Sequence, residues 1–154
     1  MNDKSVTIRP ARREDVPATI AMLADDHLGR ARERLEDPLP QVYYAAFARV
    51  ERDPNLTLVV AESEGRVVGC LQLAILPGIS SQGGSRGLLE DVRVATDCRS
   101  RGIGEQLVQW AVTEAKARGC NLVELLTHHT RTEAQRFYTR LGFTASHVGM
   151  TVRF

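Results

Sequence analysis

The chain has 154 residues, a net charge of +1, and apolar and charged fractions of 43% and 25%. That length supports one sizeable core, and the near-neutral balance provides no global field to draw nucleic acid or an anionic membrane. Three cysteines, odd in number and without C-x-x-C spacing, argue for a reduced cytoplasmic protein over a disulfide scaffold, and no apolar run reaches membrane-spanning length.

Val6 and Ile8 alternate with polar residues and predict a short first strand. Residues 14–23 carry Val16, Ile20 and Leu23 at helical spacing, with Pro17 near the start where a helix tolerates it. The charged stretch 25–40 reads as a loop or a mobile helical segment. Residues 41–52 read as a second helix with Val42, Ala45, Ala46 and Val50 on one side. Two β-branched runs, 56–62 and 67–76, are joined by Ser63-Glu64-Gly65-Arg66 as a hairpin. Residues 77–87, rich in Gly and Ser, read as a flexible loop before a strand over 88–94. Ile103, Leu107, Ala111 and Ala115 step by four, with Val108 and Val112 widening the stripe of a helix over 104–118. A buried strand follows over 122–126. Thr130-Arg131-Thr132-Glu133 then has the form of a capping box, opening a helix that carries Ala134, Phe137, Tyr138 and Leu141 on one face. Residues 143–154 read as a last strand, whose edge offers a means of pairing two copies of the chain.

The most informative stretch is Arg99-Ser100-Arg101-Gly102-Ile103-Gly104, set between the strand over 88–94 and the helix that follows. Glycines let the backbone turn tightly, and a helix start presents unpaired N–H groups and the positive end of its dipole. Arg99 and Arg101 add charge suited to phosphate oxygens. Strand, turn and helix together describe a pyrophosphate cradle. The same turn also serves in α/β proteins that bind no phosphate. It is not a P-loop, since no Lys-Ser or Lys-Thr follows Gly104. It is not a dinucleotide fingerprint either, since Leu107 stands where the third small residue belongs.

Two motifs in order carry a resemblance to a known family. Arg99-x-x-Gly102-x-Gly104, preceded by Val92-Arg93-Val94, is similar to the [QR]-x-x-G-x-[GA] turn of the GNAT superfamily of acyl-CoA-dependent N-acyltransferases. Phe137-Tyr138-Thr139-Arg140-Leu141-Gly142-Phe143 resembles that family's second motif, F-Y-x-x-x-G-F. The resemblance implies an α/β fold in one domain over residues 1–154. Its mixed, mostly antiparallel sheet would have a splayed strand pair, with helices on both faces. It implies an enzyme that moves the acetyl group of acetyl-CoA to an amine by direct attack, with no metal. It places Val92, Arg93 and Val94 along the pantetheine arm, and Arg99, Ser100, Arg101, Gly102, Ile103, Gly104 and Glu105 around the pyrophosphate. The strand over 92–94 should splay from its neighbour at a bulge, with the Val92 N–H facing the oxyanion and Tyr138 protonating the leaving thiolate. Where the family often has Asn, this chain has Arg131, which would reach a phosphate or adenosine group or face solvent.

Strand alternation puts Glu90 on the side of Val92 and Val94, with Asp91 opposite, and the resemblance, in which some members place a base at this position and others at that of Leu88, implies Glu90 as a base acting through water. The plainer reading is a carboxylate paired with a nearby arginine, and Tyr138 is equally at home as a core residue on its helix stripe. His128 and His129 lack further ligands at metal spacing and read as loop residues. His27, with Asp25 and Asp26, lies where the resemblance expects the acceptor pocket. Its carboxylates would favour a cationic amine if they line it. A non-catalytic acyl-CoA-binding module on the same fold, and an enzyme for longer acyl chains, are the alternatives.

Overall fold

The computed structural model describes residues 5–26 and 28–154. Strand β1 is Thr7–Pro10, and a 3-10 turn over Arg13–Asp15 leads into α1, Val16–Ala24. Pro17 falls in the first turn of α1, where its missing N–H removes no helical bond. Helix α2 spans Gln41–Arg52 as expected, but its buried side is not the expected one. Phe47 is buried and packs with Leu39, Tyr43 and Tyr44 beside α1, while Val42 is 59% exposed. Turning the aromatic rings inward removes more apolar surface from water than turning in Ala45 and Ala46.

The hairpin joins β2, Leu56–Ser63, to β3, Arg66–Leu76, through Glu64 and Gly65, both at positive φ. A single turn α3, Ser80–Gly83, precedes β4, Ser85–Val94. The strand thus begins inside the stretch expected to be loop. The glycine there has a packing reason: a Cβ on Gly87 would meet the Ala115 Cβ at 3.1 Å. Helix α4, Ile103–Ala117, crosses over to β5, Cys120–Leu125, and α5 is Thr132–Arg140. The sheet runs β1-β2-β3-β4-β5, antiparallel until β5, which is parallel to β4. A parallel neighbour needs a crossover, and α4 provides it.

Leu107, Val108, Ala111 and Ala115 of α4 are buried against the sheet. Gly69 of β3 lies under the near end of that helix, where a Cβ would meet Leu107 Cδ1 at 3.0 Å and Ile103 Cγ2 at 3.3 Å. A second cluster, Val16, Ile20, Leu23, Leu39 and Phe47, joins α1 and α2 over Leu58 of β2.

Two expectations fail at the end of the chain. The capping box does not form: the Thr130 hydroxyl pairs with His128 Nδ1 at 2.7 Å, and Arg131 stands at the N-cap without a side-chain cap bond. Residues 143–154 form no strand among the described residues, and Val148, Met150, Val152 and Phe154 lie exposed. Alternation supplies the pattern of a strand, but a strand also needs a neighbour to bond with, and this segment has none in the sheet. Among the described residues no helix is long and apolar enough to cross a membrane, no three metal-ligating side chains gather, and the three cysteines are free thiols.

Candidate active site

β4 has one partner for its whole length and a second for only half of it. It pairs with β3 from Arg86 to Val94, but its ladder to β5 ends at Leu89 opposite Leu125. The two strands then separate, as the splayed pair requires. Within the splay, Cys70 faces Arg93 and Gln72 faces Glu90, so Leu71 alone spans Asp91 and Val92. This is a β-bulge, with Asp91 in the left-handed region at φ 54°.

The bulge overturns the expected alternation. Cross-strand partners share a face, so Glu90 and Arg93 lie on the face of Gln72 and Cys70. Val94, opposite Gly69, lies on the other face, towards α4. Glu90 therefore shares its side with Arg93 and not with Val94. The Ala95 N–H donates to Val68 O at 2.9 Å, so the alternate residues Val92 and Val94 turn their backbone groups away from β3. The carbonyl of Val92 accepts from Arg93 Nη1 at 2.8 Å and that of Val94 from Arg99 Nε at 3.3 Å.

The turn after β4 is held at its corners by buried Ala95, Cys98 and Ile103. Ser100 at φ 61° and Gly102 at φ 75° bend the chain into α4. No side chain would obstruct a Cβ on Gly102, so glycine is there for its left-handed backbone. Gly104 has a different reason: a Cβ would meet Phe137 Cζ at 3.3 Å and Val94 Cγ2 at 3.6 Å. Gln106 is the first residue of α4 to find a backbone acceptor, Gly102 O at 3.0 Å. Among the described residues, the amides of Ile103, Gly104 and Glu105 are left as donors at the positive end of the helix. Arg101 is exposed, and the Arg99 side chain also lies 3.8 Å from Asp25, which bonds to Thr96 as well.

Across the splay stand two arginines and a carboxylate. Asp26, just beyond α1, accepts from Arg131 Nη2 at 2.7 Å and from the Gly29 N–H at 2.6 Å, with Arg93 Nη2 at 3.6 Å. Burial pushes its carboxyl up, but the Gly29 amide and the Arg131 guanidinium outweigh it and hold it down to about 2. Arg131 thus turns inward to Asp26. The charges of Asp25 and Asp26 are engaged by arginines. The sequence holds no sign of this pairing, because Asp26 and Arg131 are 105 residues apart. His27 lies outside the described residues.

Tyr138 packs edge-on between Phe137, 5.0 Å away, and Phe143, 5.7 Å away. Burial raises its phenol above the ordinary value, against the opposing fields of Arg93 and Arg131. It is a packed ring whose phenol is held in its neutral form. Burial also raises Glu90, aided by the charge of Asp91, and raises Asp91 itself against the pull of Arg93. A carboxyl lifted in this way is a better base near neutral pH. The segment after α1 brings the charges of Arg32 and Glu33 to bear on Asp91 and is tied to α2. The Tyr43 hydroxyl donates to Glu33 Oε2 at 3.1 Å and accepts from the Arg34 N–H at 2.7 Å. His128 and His129 stack on one another at 4.4 Å, exposed beyond β5.

The acetyltransferase (GNAT) family matches residues 20–143. An aminoalkylphosphonate N-acetyltransferase of Salmonella typhimurium is 32% identical over 145 residues, 94% of this chain and 88% of its own. A glucosamine 6-phosphate N-acetyltransferase of Trypanosoma brucei brucei is 31% identical over 110 residues, 70% and 73% of the two chains. A crystal structure from Bacillus halodurans, described as a transcriptional regulator, superposes with a TM-score of 0.95 at 47% identity, covering 97% of this chain and all of that one. With the splayed strand, the glycine turn and the aromatic motif all in place, the chain belongs to the acetyltransferase (GNAT) family and is an N-acetyltransferase, an enzyme that transfers acetyl to an amine.

Proposed function

We propose that the donor is acetyl-CoA and the acceptor a small-molecule amine, in one acetyltransferase domain over residues 1–154. The observation that carries this reading is the loss of the β4–β5 ladder at Leu89 while β4 runs on to Val94 and into the glycine turn. An unpaired strand edge suits the amide-rich pantetheine arm. The free amides from Ile103 to Glu105, with Arg99, Ser100, Arg101 and Gly102 around them, suit its pyrophosphate.

The acetyl carbonyl then lies by the Val92 N–H, which turns away from β3 and donates to the developing oxyanion. One such donor is worth about 3 kcal/mol. The amine must lose a proton, since an alkylammonium has a pKa of about 10. Glu90 takes that proton through a water. The amine nitrogen bonds to the carbonyl carbon, the C–S bond breaks with its electron pair on sulfur, the Tyr138 hydroxyl delivers a proton to the thiolate, and the second proton shed by the new amide nitrogen passes to solvent water, from which the tyrosinate is reprotonated. Its position next to Arg93 and Arg131 supports this role, because a tyrosinate left behind would be stabilised by both cations.

The relatives named for aminoalkylphosphonate and glucosamine 6-phosphate act on small amines, which supports the same class of acceptor here. Free thiols at Cys70, Cys98 and Cys120 support a reducing, cytoplasmic setting. Association of two copies belongs to the same reading. The test is release of thiol from acetyl-CoA against a panel of small amines, with Gly102→Val alongside. Turnover by the natural chain is expected, as is an acetyl-CoA affinity lowered about tenfold, because the free variant's turn relaxes away from φ 75° and binding must restore a strain of some 1–2 kcal/mol. Unchanged affinity in the variant overturns the cradle.

A further inference from the structure

Arg93 and Arg131 carry more positive charge than their surroundings neutralise. Two guanidiniums share one carboxylate, Asp26, at 3.6 Å and 2.7 Å. The other carboxylates of the site are placed differently. Asp25 turns to Arg99 and Thr96, Glu33 bonds to Tyr43, and neither Glu90 nor Asp91 forms an ion pair with Arg93 or Arg131 among the described residues. Arg93 Nε is fully buried and has no partner at all among the described residues. A buried donor on a charged group is costly to leave unpaired.

The location of this surplus is specific. Arg93 stands on the bulge, on the face of Glu90, and both arginines act on the Tyr138 phenol. The charge therefore borders the place where the amine must approach, while the turn at 99–104 has cations of its own. Arg131 Nη2 and Arg93 Nη2 both approach Asp26 Oδ2, and Arg93 Nε, on the same edge of its planar guanidinium as Nη2, is left without a partner. Two approaching guanidiniums with a further unpartnered N–H suit the three oxygens of a tetrahedral anion better than the two of a planar carboxylate. Asp26, held by the Gly29 N–H as well, shows that the pair accepts an oxyanion.

We propose that Arg93 and Arg131 form the seat for a phosphonate or phosphate group carried by the amine acceptor, with Asp26 as the internal carboxylate that this group displaces. The inference rests on the acetyl-transfer reading and names the acceptor it serves. Arg131 is then a specificity residue of the acceptor site and not a ligand of the coenzyme.

Thiol release from acetyl-CoA is measured with aminoethylphosphonate, β-alanine and ethanolamine, which differ in the group opposite the amine. The phosphonate is expected to exceed both others in kcat/KM by about 100-fold or more, as a site built to pair a polar group rejects analogues that lack it. Arg131→Gln is expected to shrink that preference about tenfold or more, by loss of a charge-assisted bond. Asp26→Asn removes the competing charge while keeping an oxygen for Gly29, and is expected to lower KM for the phosphonate about threefold or more. A merely structural Asp26 would raise it. Equal turnover of β-alanine or ethanolamine, or a preference untouched by Arg131→Gln, overturns the seat. Thiol release from none of the amines overturns the transfer reading beneath it. Calorimetric titration of aminoethylphosphonate then reads the seat directly, and equal affinity in the natural chain and Arg131→Gln overturns it.

Discussion

Two charged triads, built alike, do different work. In the first, Arg9 on β1 bridges Asp15 and Glu62 at 2.7 Å each, and Asp15 also accepts the Arg12 N–H at 2.7 Å. In the second, Asp26 bridges Arg131 and Arg93 and accepts the Gly29 N–H. Each aspartate is held by one backbone amide and by guanidinium. The stoichiometry is inverted: one cation for two anions against two cations for one anion. The first triad ties β1, the start of α1 and β2 together and has no unpaired buried atom. A cavity of about 580 Å³ touches it, yet Arg9, Asp15 and Glu62 there spend their charge on each other. The second triad ties the end of α1, β4 and α5 around the splay and leaves Arg93 Nε unsatisfied. A closed set of charges maintains a fold; an incomplete one waits for a ligand.

The largest effect should come from opening the closed triad. Arg9→Met leaves Asp15, 5% exposed, without its cation, and should lower stability by about 3 kcal/mol in urea unfolding, as breaking a buried pair does. If it does not, the two triads are not distinct in kind. Next comes the ring beside the open triad. Tyr138→Phe should lower kcat about 100-fold, the scale of a lost proton donor, while the acetyl-CoA dissociation constant and the unfolding midpoint stay put. A lost fold or an unaffected rate would return Tyr138 to the core.

Acid should separate the triads more finely. The Asp26 carboxyl is held at about 2 in the folded chain, below its ordinary value of 3.8. Its contribution is present above that ordinary value and is lost as pH falls towards 2. The natural chain should therefore lose stability more steeply over that window than Asp26→Asn, in unfolding followed against pH. The smallest effect is a control. Arg66 and Asp97 pair at 2.6 Å but are 57% and 60% exposed, and Arg66→Gln should leave the unfolding midpoint where it is.

What was legible in the sequence was local. The run over 88–94, the glycine turn and the four-step stripe of α4 lie within 30 residues and encode strand, bend and helix directly. The Phe137–Tyr138 stripe gave the last helix for the same reason. The face of Glu90 was not legible, because it depends on one residue taking φ 54°; that this residue is Asp91, a type that tolerates the left-handed region, was the only hint. The Asp26–Arg131 bond was invisible, as no local spacing records a partner 105 positions away. Thr130 fits a cap by its type, yet His128 offers its hydroxyl another partner. The tail has the side-chain pattern of a strand, but among the described residues no edge of the sheet receives it.

Gly69 and Gly87 meet the two ends of α4, one beneath Ile103 and Leu107 and the other beneath Ala115. They act as a pair of notches that set the helix level. A methyl at the Ala115 notch would lift the far end and tip the near end with it, as a plank rocks on a pebble. A substitution a full helix length from the chemistry would then disarm the enzyme by tilt alone.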